Sequence, residues 1–362
     1  MRVAFRADAS SQIGTGHVMR CLTLADELAV RGAQTLFVSR SLPGHLAELI
    51  RGRGHDCALL PAPAPDSVAP VAPPLHAHWL SVPAAQDAAE TEQALGEKKW
   101  DWLVVDHYAL DAAWERPLRQ GDRKLLVIDD LADRPHDCDL LLDTNLQDSA
   151  ERYRELLPPA CGQLLGPRYA LLRPQFAAAR ARLGPRDGSV QRLLIYYGGV
   201  DPSNLTGMTL EAVAQAGGEL AVDVVLAKNL EPSQRHQLVR RCAELSQVSI
   251  HTDVSDMAAL MTQADLAFGA AGVTTWERAS VGLPAIIVTV AQNQNVVAAG
   301  TERAGLVTWV GDVSTITTDK LAQALRRALA APQLLAAQSR CGMEQVDGGG
   351  ASRVGEAMAG GT

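Results

Sequence analysis

Short runs of β-branched residues and leucine alternate with longer stretches of helical periodicity from one end of this chain to the other. In the first half, the runs at 3–5, 35–39, 57–60, 102–106, 124–129 and 140–143 have the length and apolar character of buried strands. Between the first two, Val18, Leu22, Ala25 and Ala29 recur at helical spacing, and Arg31-Gly32 ends the pattern. Alternation of this kind predicts βαβ units around a parallel sheet, an α/β fold. The stretch 61–74 is rich in Pro and Ala, cannot be a regular helix or central strand, and reads as a surface loop or spacer. Gly184, Pro185, Arg186, Asp187 and Gly188 then break the pattern like a hinge. The alternation starts afresh at 192–196, 222–226, 248–251, 266–268 and 285–290. The chain therefore divides into two Rossmann-like domains, 1–183 and 189–346, with a Gly-rich tail at 347–362 expected to fray.

A length of 362 residues accommodates two such domains, each with its own core. Hydrophobic residues at 47% and charged residues at 20% are the balance of a water-soluble globular protein. A net charge of −8 argues against a nucleic-acid or anionic-membrane partner, and 4% aromatic residues supply few stacking platforms for single strands. The six cysteines are scattered without a CxxC pair, which fits reduced, mostly buried thiols better than a disulfide frame or zinc site. Met1-Arg2 leads straight into the first strand, leaving no room for a signal peptide, and no uncharged apolar run reaches spanning length. The expectation is a cytoplasmic monomer, not embedded in a membrane.

Ligands of open α/β sheets bind at the carboxyl ends of strands, so the polar residues there matter most. After the first strand come Arg6, Asp8 and the loop Gly14-Thr15-Gly16-His17, where a helix begins. Gly14 and Gly16 allow close backbone approach, and the positive end of the helix dipole disfavours a protonated His17. A neutral, exposed imidazole there suits a general base. The fourth strand ends in Asp106-His107-Tyr108, more polar groups than a strand end needs; Asp129-Asp130 and Thr144-Asn145 follow later strands and read as helix caps. In the second half, Gly198-Gly199 leads to Asp201 and Asn204 at a helix start, which reads as a phosphate-approach loop. Gly272, Thr274 and Thr275 open another helix suited to a diphosphate, with Glu277 placed to accept two hydrogen bonds from a ribose diol. Neither loop matches GxxxxGK[ST], and no HxxxH or HExxH spacing marks a metal site.

With these residues in view, the chain resembles the PseG family, the UDP-sugar hydrolases of pseudaminic acid biosynthesis, over nearly its full length. The resemblance rests on Phe5-Arg6-Ala7-Asp8, the run from Ser11 to Arg20, Asp106-His107-Tyr108, Tyr169-Ala170-Leu171-Leu172-Arg173, Gly198-Gly199-Val200-Asp201 and Asn293-Gln294. The run from Gly272 to Pro284, with Asn293-Gln294, is also similar to MurG-type N-acetylglucosaminyltransferases. These resemblances imply a GT-B architecture, two Rossmann-like domains whose parallel sheets face across a cleft. They imply hydrolysis of UDP-2,4-diacetamido-2,4,6-trideoxy-β-L-altropyranose to the free sugar and UDP with inversion, without metal or cofactor, serving flagellin glycosylation. His17 would be the base. Arg6, Asp8, Gly14, Gly16, Asp106, His107 and Tyr108 would face the sugar or the water. Gly272, Thr274 and Thr275 would hold the diphosphate, Glu277 the ribose and Val254 the uracil, with Arg173, Gly199, Asn204, Asn293 and Gln294 as further contacts. The long stretch after Leu60 and the extended C-terminus depart from the family pattern. A GT-B glycosyltransferase using a UDP-sugar donor is the alternative, and a nucleotide-sugar-binding regulator would leave the Arg6–Asp8, His17 and Asp106–Tyr108 cluster without a purpose.

Overall fold

The computed structural model describes residues 1–64, 71, 73–146, 149–184, 186–199, 201–227, 230–245 and 247–360. Part of the Pro/Ala-rich stretch, together with Pro185 and Val200, lies outside the described residues. Two compact units emerge: Met1–Leu171 with Gly350–Thr362, and Leu172–Gly349.

The first unit is built on a seven-stranded parallel sheet: β1 (Arg2–Ala7), β2 (Gln34–Arg40), β3 (Asp56–Leu60), β4 (Trp102–Asp106), β5 (Lys124–Ile128), β6 (Leu140–Asp143) and β7 (Gly162–Leu165). Its spatial order is β3-β2-β1-β4-β5-β6-β7. The order reverses between β1 and β4, where Ala7 stands opposite Asp106. Helix Gly16–Val30 buries Val18, Cys21, Leu22, Ala25 and Leu28 against Val3, Phe5 and Val104 of the sheet. This is the apolar stripe the periodicity predicts.

The second unit repeats the scheme with β8 (Arg192–Tyr196), β9 (Ala221–Val225), β10 (Val248–His251), β11 (Leu266–Ala270), β12 (Ala285–Thr289) and β13 (Thr308–Asp312). They are ordered β10-β9-β8-β11-β12-β13, so this sheet switches direction between β8 and β11. A crevice at such a switch point, outside the carboxyl ends of the strands, is where open α/β sheets take ligands.

Three features differ from the sequence reading. β7 and β13 lie outside the strands that the apolar runs predict; each closes one edge of its sheet. The tail is not frayed: residues Gly350–Gly360 form a helix that places Ala351, Val354 and Met358 in the core of the first unit, beside Leu28. Their helical spacing, not the glycine content, decides the outcome. The third difference concerns the boundary, which falls at 171/172 and not near 184. The Gly184–Gly188 run is tied into the second unit, where Arg186 donates to the carbonyls of Met261 and Ala264.

All six cysteines are free thiols, and the Cys138 and Cys161 sulfurs lie 3.5 Å apart just before the neighbouring strands β6 and β7. Among the described residues no helix is long and apolar enough to cross a membrane, and no group of three or more His, Cys, Asp or Glu is arranged to hold a metal ion.

Candidate active site

His17 is the second residue of its helix and sits at the β1/β4 switch point. Its Nδ1 lies 2.6 Å from Asp106 Oδ1, at the end of β4. A carboxylate only accepts, so Nδ1 carries the ring proton and the Nε2 lone pair is left for a substrate. Arg20, one helical turn on, donates to both Asp106 oxygens at 2.6 and 2.7 Å and to Asp130 at 3.1 Å. Burial alone would push the Asp106 carboxyl up, but the charges of Arg20 and then His17 outweigh it and hold Asp106 well below the usual carboxylate range. Asp106 therefore stays ionised at any pH the protein meets.

Nε2 of His17 has no protein partner among the described residues, and the side chain keeps 8% of its surface exposed. The expected open exposure is corrected accordingly. Tyr108 meets the ring edge-on at 4.6 Å and Trp79 at 6.2 Å. Gly14 does adopt a left-handed φ of 80°, as its loop requires; Gly16 starts the helix with no special conformation.

Arg6 and Asp8 are corrected more sharply. Both are fully buried and grip each other at 2.6 and 2.9 Å. Arg6 also donates to Asp87 at 3.1 and 2.7 Å, and Arg40 donates to Asp87 at 2.6 Å. His107 is buried as well: its Nδ1 accepts from the Ala109 amide, and its Nε2 faces Asp8 at 3.4 Å. With Asp106 these residues brace the site from beneath and offer no surface to a sugar. Asp87 escaped the sequence reading. Its only signal was an acid beside Thr91 on the otherwise alanine- and leucine-lined face of helix Ala84–Leu95. Asp87→Ala would take one carboxylate from two buried guanidinium groups, leaving Arg6 with Asp8 and Arg40 with Glu90 at 2.7 Å, so it should destabilise the first unit by up to about 3 kcal/mol in chemical denaturation.

Asp129 is likewise structural, accepting from the Ala132 amide and the Tyr153 hydroxyl and pairing with Arg134 at 3.0 Å. Nearby His136 places Nδ1 2.7 Å from Glu115 and Nε2 3.8 Å from Asp129. Burial alone would lower its pKa, but the two carboxylates overcome this and raise it to about 9. The folded value lies above the ordinary 6.5, so this stabilisation is complete below pH 6.5 and is lost as pH rises through about 9. Stability measured by denaturant should fall across that window, and the slope should flatten in His136→Gln.

In the second unit, helix Val273–Ser280 begins at Gly272, whose φ of 127° suits glycine, and no side chain caps it. The Thr275 amide donates to the Gly272 carbonyl at 2.9 Å, which leaves the Val273 and Thr274 amides of the first turn for an anion. Arg278, only 2% exposed, reaches back under the loop and donates to the Ala270 carbonyl at 2.9 Å. No carboxylate lies within ion-pair distance of it among the described residues, and burial lowers its pKa to about 10. Its full charge reinforces the helix dipole there. Gly269 makes room for it, since a Cβ at 269 would sit 2.4 Å from Arg278 Nη1. Glu277 accepts from Arg173 at 3.1 Å through Oε1, which leaves Oε2 for a ligand; burial raises its pKa despite that pairing.

The Gly198-Gly199 loop behaves differently from expectation. Asp201 carboxylate oxygens accept from the Leu205 and Thr206 amides at 2.8 and 2.9 Å. The helix start that read as a phosphate site is already filled by the protein's own anion. Gly199 and Asn204 remain exposed, Asn204 in a left-handed conformation. Gln294 turns its carbonyl onto the Val290 amide at 2.9 Å, Val254 is half-buried, and the Asn293 side chain lies outside the described residues.

Comparison with known proteins supports this architecture. Residues 212–349 match the model of the glycosyltransferase family 28 C-terminal domain. Over 177 residues the chain is 30% identical to the UDP-2,4-diacetamido-2,4,6-trideoxy-β-L-altropyranose hydrolase of Campylobacter jejuni, covering 49% of this chain and 53% of that one. It is 23% identical to the spore coat polysaccharide biosynthesis protein SpsG of Bacillus subtilis over 98% of this chain and 96% of that one. The chain spans about half the length of two curated relatives it matches, the Campylobacter hydrolase and a Methanocaldococcus jannaschii protein of which 55% is covered. Among solved structures, MurG of Acinetobacter baumannii superposes with a TM-score of 0.63 at 16% identity, over 99% of both chains. The calicheamicin glycosyltransferase CalG4 superposes with a TM-score of 0.67 at 17% identity, over 100% of this chain and 98% of that one. With two parallel-sheet units on the page, these likenesses show that the chain has the GT-B fold.

Proposed function

We propose that the protein is a UDP-sugar hydrolase that releases UDP and a free sugar by attack of water on the anomeric carbon. The observation that carries this reading is the Asp106–His17 pair, an ionised carboxylate that orients an imidazole whose second nitrogen has no protein partner among the described residues. His17 Nε2 takes a proton from the attacking water, the new C–O bond forms with inversion, and UDP leaves with the bonding electrons. UDP is a good leaving group, so a positioned base and charge stabilisation count for more than a strong acid. The open helix start at Gly272, with Thr274 and Thr275, holds the diphosphate above Arg278, and the free Glu277 oxygen takes the ribose diol. The partial likeness to the Campylobacter hydrolase supports UDP-2,4-diacetamido-2,4,6-trideoxy-β-L-altropyranose as substrate.

A glycosyltransferase is the second reading, favoured by the family 28 match in the second unit. Incubating the purified protein with a panel of UDP-sugars and no acceptor separates the two. Release of UDP together with free sugar supports the hydrolase, and release only when an acceptor is added supports the transferase. Glu277→Ala should weaken UDP binding by calorimetry about 10- to 100-fold, the worth of a hydrogen bond to a charged group. An unchanged dissociation constant would remove Glu277 from the nucleotide site.

A further inference from the structure

We infer that Trp79 decides which hydroxyl attacks the sugar: it keeps the space beside His17 large enough for water and too small for a bulkier acceptor. The inference rests on the reading of His17 as the base. Trp79 belongs to a short turn, Ala77–Leu80, that directly follows the Pro/Ala-rich connection. Its ring lies nearly parallel to Tyr108, with centroids 5.5 Å apart and planes at 24°. His76 from the same turn leans on both, 4.6 Å from Trp79 and 5.4 Å from Tyr108. His17 meets both rings of this wall edge-on, and its side chain is only 8% exposed.

The chemistry gives that enclosure a purpose. Hydrolysis and glycosyl transfer use the same base and the same leaving group. In each, one hydroxyl oxygen bonds to the anomeric carbon, its proton passes to His17 Nε2, and the bond to UDP breaks with its electron pair. Only the attacking hydroxyl differs. A wall of aromatic rings beside the base discriminates by size against anything larger than water, a steric rejection built against the wrong nucleophile.

The test is a competition between nucleophiles. Wild-type protein, Trp79→Ala and Trp79→Phe are given a UDP-sugar that wild type hydrolyses, with glycerol or methanol added. The ratio of glycoside to free sugar is then read by mass spectrometry. Wild type should give almost no glyceryl glycoside. Trp79→Ala should raise the glyceryl ratio about tenfold or more, the scale of discrimination a filled pocket supplies. Methanol, close to water in size, should gain less, and Trp79→Phe should stay near wild type. If the alanine variant does not fold, Trp79→Leu gives the same readout with a smaller apolar side chain. Continued hydrolysis with an unchanged ratio overturns the inference. So does a rise in KM alone, which would make Trp79 a platform for the sugar face. Failure of wild type to release UDP from any UDP-sugar overturns the hydrolase reading itself, and the inference falls with it.

Discussion

Replacing His17 by alanine is expected to lower kcat by about a hundredfold or more while leaving KM nearly unchanged, because general-base assistance is felt in the transition state and not in ground-state binding. His17→Asn should behave alike, since an amide keeps a similar polar shape but cannot take up the proton. Neither change should alter UDP affinity, because the residues proposed to hold the nucleotide belong to the second unit and His17 to the first. Steady-state UDP release, with thermal melting as a control for folding, is the measurement. Unchanged turnover in a folded variant would remove His17 from the mechanism.

A loss of the same kind is expected for Asp106→Asn, about a hundredfold or more in kcat but no larger than that of His17→Ala, because Asp106 acts through His17. The carboxylate does two things at once. It accepts from Nδ1 at 2.6 Å and so selects the tautomer that leaves Nε2 unprotonated, and it neutralises the buried Arg20 through two hydrogen bonds. An amide in its place can donate to Nδ1 instead, moving the proton to Nε2, where it blocks the base; losses of this kind in acid–histidine pairs reach three to four orders of magnitude. The freed Arg20 charge lies next to His17 and adds to the harm. Because Asp106 is fully buried, a direct sugar contact is excluded. The variant should thus lose kcat and keep its UDP dissociation constant. Full activity in Asp106→Asn would mean that the pair does not orient the base.

Much of the fold was legible because buried parallel strands are written as dense apolar runs. The runs at 102–106, 140–143, 192–196 and 248–251 coincide with β4, β6, β8 and β10 in full. Legibility failed at two of the four sheet edges, β7 and β13, and where a helix is built from small residues, as in Gly350–Gly360, whose few apolar positions matter only once Leu28 is opposite them. The site divided along a similar line. His17 and Asp106 could each be picked out by standing at a strand end, but their pairing spans 89 positions in the chain. Arg40, Trp79 and Arg278 carried no local mark that separated them from ordinary surface residues, and Asp87 carried only its place on an apolar helix face.

The sequence by itself determined the parallel α/β units, the glycine loop that opens onto His17, and the glycine-led helix start at 272. Each follows from short-range periodicity or from a backbone conformation few residues adopt. Only the tertiary structure decided which polar groups brace and which remain open. It closed Arg6 and Asp8 into a buried ion network, filled one helix start with Asp201, and left the other uncapped over Arg278. The reason is that burial and charge pairing depend on neighbours distant along the chain, and it is packing, not spacing, that assigns them.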